Sequence, residues 1–132
     1  MSVHIVFQIE YLDQWNKRRR EIAKIYCEAL KESAVVTPIE NNFASHVYHM
    51  YILQSTEKDK LVDFLSSKGI ATGIYYPIPL HLQKVYSNLG YKVGDFPQAE
   101  DLSKRTFAIP MYPELNENQL EYITTTINSY WD

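Results

Sequence analysis

The sequence predicts a mixed α/β (α+β) fold: a two-layer sandwich with a long N-terminal helix and a small, mostly antiparallel sheet with helices packed on one side. Two patterns lead to this fold. Apolar residues recur at intervals of three and four over residues 5–30, which is typical of an amphipathic helix. Short runs rich in β-branched and aromatic residues then alternate with helical patterns along the rest of the chain.

The first helix is predicted over residues 5–30 and begins without a convincing capping residue. Four basic residues at 17–20 interrupt its apolar stripe, with acidic side chains close by at Asp13 and Glu21. Because the net charge of the chain is −3, we expect a solvated face with local ion pairs here rather than a nucleic-acid site. The apolar stripe itself consists of Ile5, Ile9, Leu12, Trp15, Ile22, Tyr26 and Leu30.

Three strands and four shorter helices are predicted after this helix. Thr56 is the expected cap of the first short helix, which Gly69 ends. The last helix has the clearest start, because Asn116 and Gln119 match a capping box. The predicted strands cover residues 46–53, 70–76 and 107–109, and the predicted helices cover residues 57–68, 82–89, 97–106 and the segment after residue 116.

Composition predicts one modest domain over residues 1–132. A pI near 5.8 disfavours binding to nucleic acid or to an anionic membrane. No apolar run is long enough to cross a membrane, and the first residues lack a signal-peptide pattern. The single cysteine, Cys27, excludes an internal disulfide, so we expect a reduced, cytoplasmic setting, with this thiol packed in the core.

The strongest candidate for a binding residue is His81. Two prolines, Pro77 and Pro79, stiffen the segment that leads from Tyr76 to this histidine, and no helical stripe explains its position. We therefore favour a polar contact with a ligand over a purely structural hydrogen bond. Arg105 has two equally supported interpretations: a favourable position at a helix C-terminus, or a contact with an anionic substrate group.

Histidines 46 and 49 are not expected to share a metal ion. In the predicted strand over residues 46–53, positions three apart point to opposite faces of the sheet. No nearby cysteine or acidic residue completes a ligand set. We expect one of these histidines to be half-buried and the other to lie at a surface.

Five ordered blocks of the sequence resemble the DegT/DnrJ family of sugar aminotransferases, which are fold-type I enzymes that use pyridoxal phosphate (PLP). They cover residues 11–23, 46–51, 69–83, 94–100 and 109–115. Because the blocks follow the family's order across nearly the whole chain, the resemblance is more specific than any single motif. It is a resemblance to the C-terminal small domain of such an enzyme, with the PLP-binding large domain absent.

The resemblance implies a supporting role in a larger catalyst. The complete enzyme would move an amino group, from glutamate, onto a nucleotide-linked keto sugar used in polysaccharide or amino-sugar biosynthesis. No catalytic or PLP-binding residue is expected in this chain, since the large domain supplies the Schiff-base lysine, and the isolated chain is expected to bind no PLP and to be inactive. His81 and Tyr76 would contact the sugar nucleotide, with Arg105 as a weaker candidate.

Two other interpretations stay open. The chain could be a free-standing, non-catalytic module that binds a ligand or a partner and keeps the small-domain fold. It could also associate with a separate PLP-binding large domain. In either case an apolar face near the start of the first helix predicts a homo-oligomer or a complex with that large domain.

Overall fold

The computed structural model describes the backbone of residues 3–132 and the side chains from residue 9 onward. Residues 3–132 form four helices, two strands and two short 3₁₀ segments. In chain order they are α1 (Val3–Ala29), β1 (Tyr51–Gln54), α2 (Lys58–Ser67), the 3₁₀ segments Leu80–Leu82 and Lys84–Leu89, α3 (Pro97–Arg105), β2 (Thr106–Ile109) and α4 (Glu117–Asn128).

The predicted two-layer architecture is confirmed. Strands β1 and β2 pair antiparallel, with Tyr51 opposite Ile109 and Leu53 opposite Phe107. These four side chains are 0–3% exposed, so they form the inner face of the sheet. Helices α1, α2 and α4, together with Leu30 just after α1, cover that face. The helix residues that do so are Ile22, Tyr26, Leu61, Leu65, Leu120, Ile123 and Ile127.

Single bridges widen the sheet on both sides. Val36 pairs with Gln54 beyond β1, and Gly73 pairs with Ala108 beyond β2, both antiparallel. The predicted strand over residues 70–76 is therefore reduced to one bridged residue. This segment contains Gly73 and leads into a proline-rich segment, and both features limit its hydrogen bonding to a neighbouring strand.

The predicted strand over residues 46–53 was wrong in its first half. Tyr48 has a φ of 47°, in the left-handed region that bulky residues rarely adopt. Its backbone N–H donates to Nδ1 of His46 at 2.9 Å, and its side chain is only 6% exposed. Burial of this ring therefore overrides the β propensity of the segment, and the strand begins only at Tyr51. Both His46 and His49 are exposed, so neither is the expected half-buried histidine.

The apolar stripe of α1 has two parts. Ile22, Tyr26 and Leu30 are buried in the core, as predicted. Ile9 and Leu12 are 60% and 46% exposed, and the side chain of Ile5 lies outside the described residues. The second half of the helix therefore belongs to the core, whereas the described part of its first half presents apolar side chains to the surface.

The helix ends differ in how well the sequence predicted them. The capping box of α4 is confirmed, with the Gln119 amide donating to Asn116 Oδ1 at 3.0 Å and the Asn116 amide donating to Gln119 Oε1 at 3.1 Å. Thr56 does not cap α2, because the N-cap residue is Glu57 and no side chain makes a capping bond there. The Glu57 amide donates to Ser55 Oγ. The predicted helix over residues 82–89 is replaced by the two 3₁₀ segments. None of the described helices has the length and apolarity needed to cross a membrane.

Candidate functional site

The long connection between Gly73 and α3 carries more exposed large apolar side chains than any other described segment between helices. We call residues 74–96 the arm. It carries two of the three predicted site residues, Tyr76 and His81, and both 3₁₀ segments. Its exposed apolar side chains are Ile74, Tyr75, Tyr76, Ile78, Leu80, Val85, Tyr86, Leu89, Tyr91, Val93 and Phe96. Such a surface is typical of a region that contacts a ligand or another part of a protein.

His81 is held inside the arm by an acidic partner. Its Nε2 lies 3.0 Å from Oε1 of Glu100, and the two side chains are only 7% and 10% exposed. The imidazole also packs against Phe96, with ring centroids 4.8 Å apart, and against Tyr91 at 6.5 Å. Nε2 of His81 therefore makes a structural hydrogen bond, which was the alternative to the ligand contact predicted from the sequence.

Glu100 is the functional candidate that sequence reasoning missed. It lies in the first turn of α3, and its Oε1 also accepts the backbone N–H of Gly94 at 2.8 Å. That Gly94 bond is the main cause that lowers the pKa of Glu100, opposed by desolvation and assisted by His81. Two sequence signals could have found it: its place in the first turn after Pro97, where a helix N-terminus favours negative charge, and its place at the end of the block at residues 94–100.

Tyr76 lies at the surface, with 63% of the residue exposed. Its ring meets that of Tyr75 edge-on at 6.3 Å. Tyr75 in turn lies against Gly73, where an added β-carbon would come within 2.5 Å of Tyr75 Cε2. Gly73 therefore permits the close approach that sets the start of the arm.

Arg105 is not brought together with the other two predicted residues. It lies at the C-terminal end of α3, whereas His81 pairs with Glu100 in the first turn of that helix. Its Nε forms an ion pair with Asp101 Oδ2 at 2.7 Å, and its carbonyl accepts the Ser55 amide. These contacts agree with the interpretation of Arg105 as a structural cation at a helix C-terminus.

A cleft of about 760 Å³ lies beside the arm, between the segment around Gly73 and the start of α4. Its walls include Ile70, Tyr75, Met111, Tyr112 and Tyr122, and no Asp, Glu, Lys or Arg of the described residues lines it. Gly73 uses its N–H and C=O on Ala108, so the backbone groups of Thr72 and Ile74 point away from β2. Neither of these two residues makes a backbone hydrogen bond to any other described residue.

A known protein family matches this chain over almost its whole length. The sequence profile of the DegT/DnrJ/EryC1/StrS aminotransferase family matches residues 3–128. The chain belongs to this family. The resemblance given by the five sequence blocks is thereby confirmed.

Curated relatives of known name match nearly all of the chain. A pleiotropic regulatory protein of Geobacillus stearothermophilus is 43% identical over 124 residues, which cover 92% of this chain and 33% of that protein. A dTDP-3-amino-3,6-dideoxy-alpha-D-galactopyranose transaminase of Aneurinibacillus thermoaerophilus is 32% identical over 123 residues, or 93% of this chain and 33% of the relative. The chain therefore spans about a third of the length of the relatives it matches.

Solved structures of the family share the fold. An aminotransferase of Brucella abortus superposes with a TM-score of 0.87 at 31% identity, covering 95% of this chain and 33% of that one. DesV of S. venezuelae, solved with a ketimine intermediate, gives a TM-score of 0.90 at 26% identity over 94% of this chain and 34% of that one.

The family is PLP-dependent, but the described residues of this chain do not fit that coenzyme. PLP needs a lysine amine beside a polar cradle for its phosphate and ring nitrogen. No lysine lines the cleft, and of the nine lysines in the sequence only Lys58 is buried. Its Nζ donates to the Ser103 carbonyl at 3.2 Å and lies 3.5 Å from Asp59, so it is already occupied.

Proposed function

We propose that this chain is the C-terminal domain of a PLP-dependent aminotransferase that transfers an amino group, from glutamate, to a nucleotide-linked keto sugar. The complete enzyme would act in polysaccharide or amino-sugar biosynthesis. The observation that carries this proposal is the match of nearly the whole chain to one third of a sugar aminotransferase. The coenzyme and its lysine belong, in this proposal, to the PLP-binding large domain.

The contribution of this chain is to hold the sugar nucleotide. Tyr76 offers an exposed hydroxyl and an aromatic face for direct contact. His81, fixed by Glu100, is the second substrate residue and acts through the small exposed part of its ring. Arg105 is the weakest of the three, because its guanidinium is engaged by Asp101.

The apolar surface at the start of α1 is where we place the contact with the large domain. Ile9 and Leu12 are exposed there although they continue the stripe that is buried further along the helix. A surface of this kind also favours association between copies of the chain. We further propose that the complete enzyme works in the cytoplasm, as the single cysteine indicates.

The test uses an enzyme in which this chain is joined to a PLP-binding large domain of the family. Turnover of a keto sugar nucleotide is measured for the parent enzyme, for His81→Ala and for Tyr76→Phe. Loss of one hydrogen bond to the substrate should raise KM or lower kcat/KM by about tenfold. Tyr130→Phe, outside both the arm and the cleft, is the matched control and should leave both constants unchanged.

Two results would contradict the proposal. Unchanged KM and kcat in both arm variants would remove the substrate role of Tyr76 and His81. Conversion of a keto sugar by the isolated 132-residue chain with added PLP would show that the chemical centre lies in this chain after all. That second result would also remove the need for a large domain.

A further inference from the structure

We infer that Glu100 is a positioning residue that orients His81 so that its Nδ1 faces a ligand as a hydrogen-bond acceptor. The ligand group that fits this acceptor is a hydroxyl, as a sugar carries. The identity of the ligand as a sugar nucleotide rests on the proposed function above, whereas the orientation of His81 does not.

The first step of the argument concerns the proton on the imidazole. An ionised carboxylate can only accept hydrogen bonds, so a histidine nitrogen 3.0 Å from Glu100 Oε1 must carry the proton. That nitrogen is Nε2. A neutral imidazole holds one proton, which leaves the lone pair on Nδ1. The bond from the Gly94 amide favours the ionised form of Glu100 independently of His81.

The second step concerns the orientation of the ring. With its side chain 7% exposed, His81 has little room to turn over. Phe96 and Tyr91 pack on the imidazole from the C-terminal part of the arm. Because Glu100 Oε1 binds both His81 and Gly94, a single carboxylate joins two distant parts of the arm to α3. These contacts therefore fix both the tautomer of His81 and the direction in which its Nδ1 points.

The third step concerns the ligand group. Nδ1 makes no hydrogen bond to any other described residue, so it keeps its acceptor free. In the neutral state of His81, this tautomer accepts a hydrogen bond at Nδ1 from a donor such as a sugar hydroxyl. A keto oxygen or a phosphate oxygen, which can only accept, does not pair with Nδ1 in that state. The neutral form of the pair therefore favours a hydroxyl at this point of the ligand.

The orientation is tested on the 132-residue chain by NMR of the His81 ring nitrogens and by exchange of the Gly94 amide. The wild-type protein should carry the neutral-state proton on Nε2, and both this proton and the Gly94 amide should exchange slowly. Glu100→Ala should speed both exchanges by about tenfold or more, since one charge-assisted bond is lost. Glu100→Gln keeps an acceptor oxygen and should preserve both signals.

Asp63→Asn, which alters an exposed carboxylate on α2, is the matched control and should change neither signal. A proton on Nδ1 in the wild-type chain would overturn the assignment. So would unchanged exchange at both positions in Glu100→Ala.

The ligand role is tested by a double-mutant cycle in the complete enzyme. Glu100→Ala alone should raise KM for the keto sugar nucleotide by about tenfold with a smaller effect on kcat. In a His81→Ala background the same change should add less than about twofold, because Glu100 acts through His81. An undiminished effect in that background would mean a general structural role and would overturn the inference.

The two tests separate the inference from the proposed function. If the NMR result holds but neither variant changes the kinetics, Glu100 orients His81 and the substrate contact is refuted. If the NMR result fails while His81→Ala raises KM, the substrate contact stands and the positioning role of Glu100 is refuted.

Discussion

Tyrosine hydroxyls join segments that lie far apart in the sequence. Tyr26 of α1 donates to the Pro110 carbonyl at 2.8 Å, and Tyr51 of β1 lies 3.0 Å from Cys27 Sγ. Burial is the main cause that raises the pKa of both phenols, so they remain neutral. This use of tyrosine explains part of the unusual composition, with 11 tyrosines against 5 phenylalanines.

Tyr26→Phe should lower the free energy of unfolding by about 1–3 kcal/mol, because it leaves the carbonyl of Pro110 without its donor. Urea unfolding followed by circular dichroism measures the change. Tyr122→Phe removes a hydroxyl that donates to the Lys68 carbonyl, at a residue that is 51% exposed. As the matched control it should cost clearly less, since water can replace that bond. Equal costs in both variants would contradict the role of burial.

Glu100 should make stability depend on pH. Its pKa lies below the ordinary value of 4.5, chiefly because of the Gly94 amide, so the folded state favours the ionised carboxylate. The stabilisation is fully present above about pH 4.5 and is lost as the pH falls through the lower folded-state pKa. Backbone amides of Gly94 and Phe96 and the His81 imidazole face this carboxylate.

The measurement is the urea midpoint of the wild-type protein and of Glu100→Gln between pH 7 and pH 3. Other carboxylates titrate in both proteins, so the difference between the two midpoints isolates Glu100. Wild type should be the more stable at pH 7, and its advantage should shrink toward pH 3. An advantage that grows on acidification would show that the sign of the pKa shift is wrong.

Among the helices and strands, α4 is the element in which local capping and core packing agree best. Its capping box satisfies two backbone N–H groups at the helix start, and Leu115 and Leu120 on either side of the cap are both buried, as expected for a hydrophobic staple. The helix then buries Ile123 and Ile127 in the core. Local chemistry and tertiary packing therefore agree along this segment.

Asn116→Ala should destabilise the protein by about 1 kcal/mol, because the amide of Gln119 loses its acceptor. Thermal unfolding measures the change as a lower Tm. Asn118→Ala, at an exposed position in the first turn of the same helix, serves as the control and should have almost no effect. A similar loss of stability in both variants would contradict the capping role, because alanine favours a helix more than asparagine does.

Elements with local signals were predictable from the sequence, and elements set by distant contacts were not. The helix that follows Asn116 and the start of α3 at Pro97 depend on neighbouring residues, and both were predicted. The late start of β1, at Tyr51 rather than at His46, depends on burial of the Tyr48 ring beside Tyr51.

The same division applies to the candidate site. Proline spacing singled out His81 for a polar contact with a ligand, and that contact stays a prediction, whereas the structure shows a hydrogen bond from His81 to Glu100. Its partner Glu100 is 19 residues away, and no local pattern pairs a loop histidine with an acid on a later helix. Arg105 was singled out by its charge, but its neighbour Asp101 one turn earlier already engages it.

At the scale of the whole molecule, two of the exposed apolar regions among the described residues bear on function. One is the start of α1 around Ile9 and Leu12, and the other is the arm. The core joins the second half of α1, both strands, α2 and α4, so neither region is needed to complete it. Both regions are therefore available for contacts beyond this chain.

The isolated chain should form a dimer or a larger assembly through the start of α1. The double variant Ile9→Glu and Leu12→Glu places charges on that surface and should shift the chain toward a monomer by at least about tenfold in dissociation constant. Sedimentation analysis over a range of concentrations measures the shift. Ile39→Glu, at a loop position that is 90% exposed, is the control. A wild-type chain that stays monomeric at high concentration would refute the prediction.

The outward-facing backbone groups of Thr72 and Ile74 leave one border of the small sheet ready to recruit a strand from a neighbouring molecule. Slow growth of fibrils in concentrated stocks would be the expected outcome of such recruitment. Placing lysine at position 72 should delay turbidity at high concentration without altering the fold, since a charge on a sheet border repels a second strand.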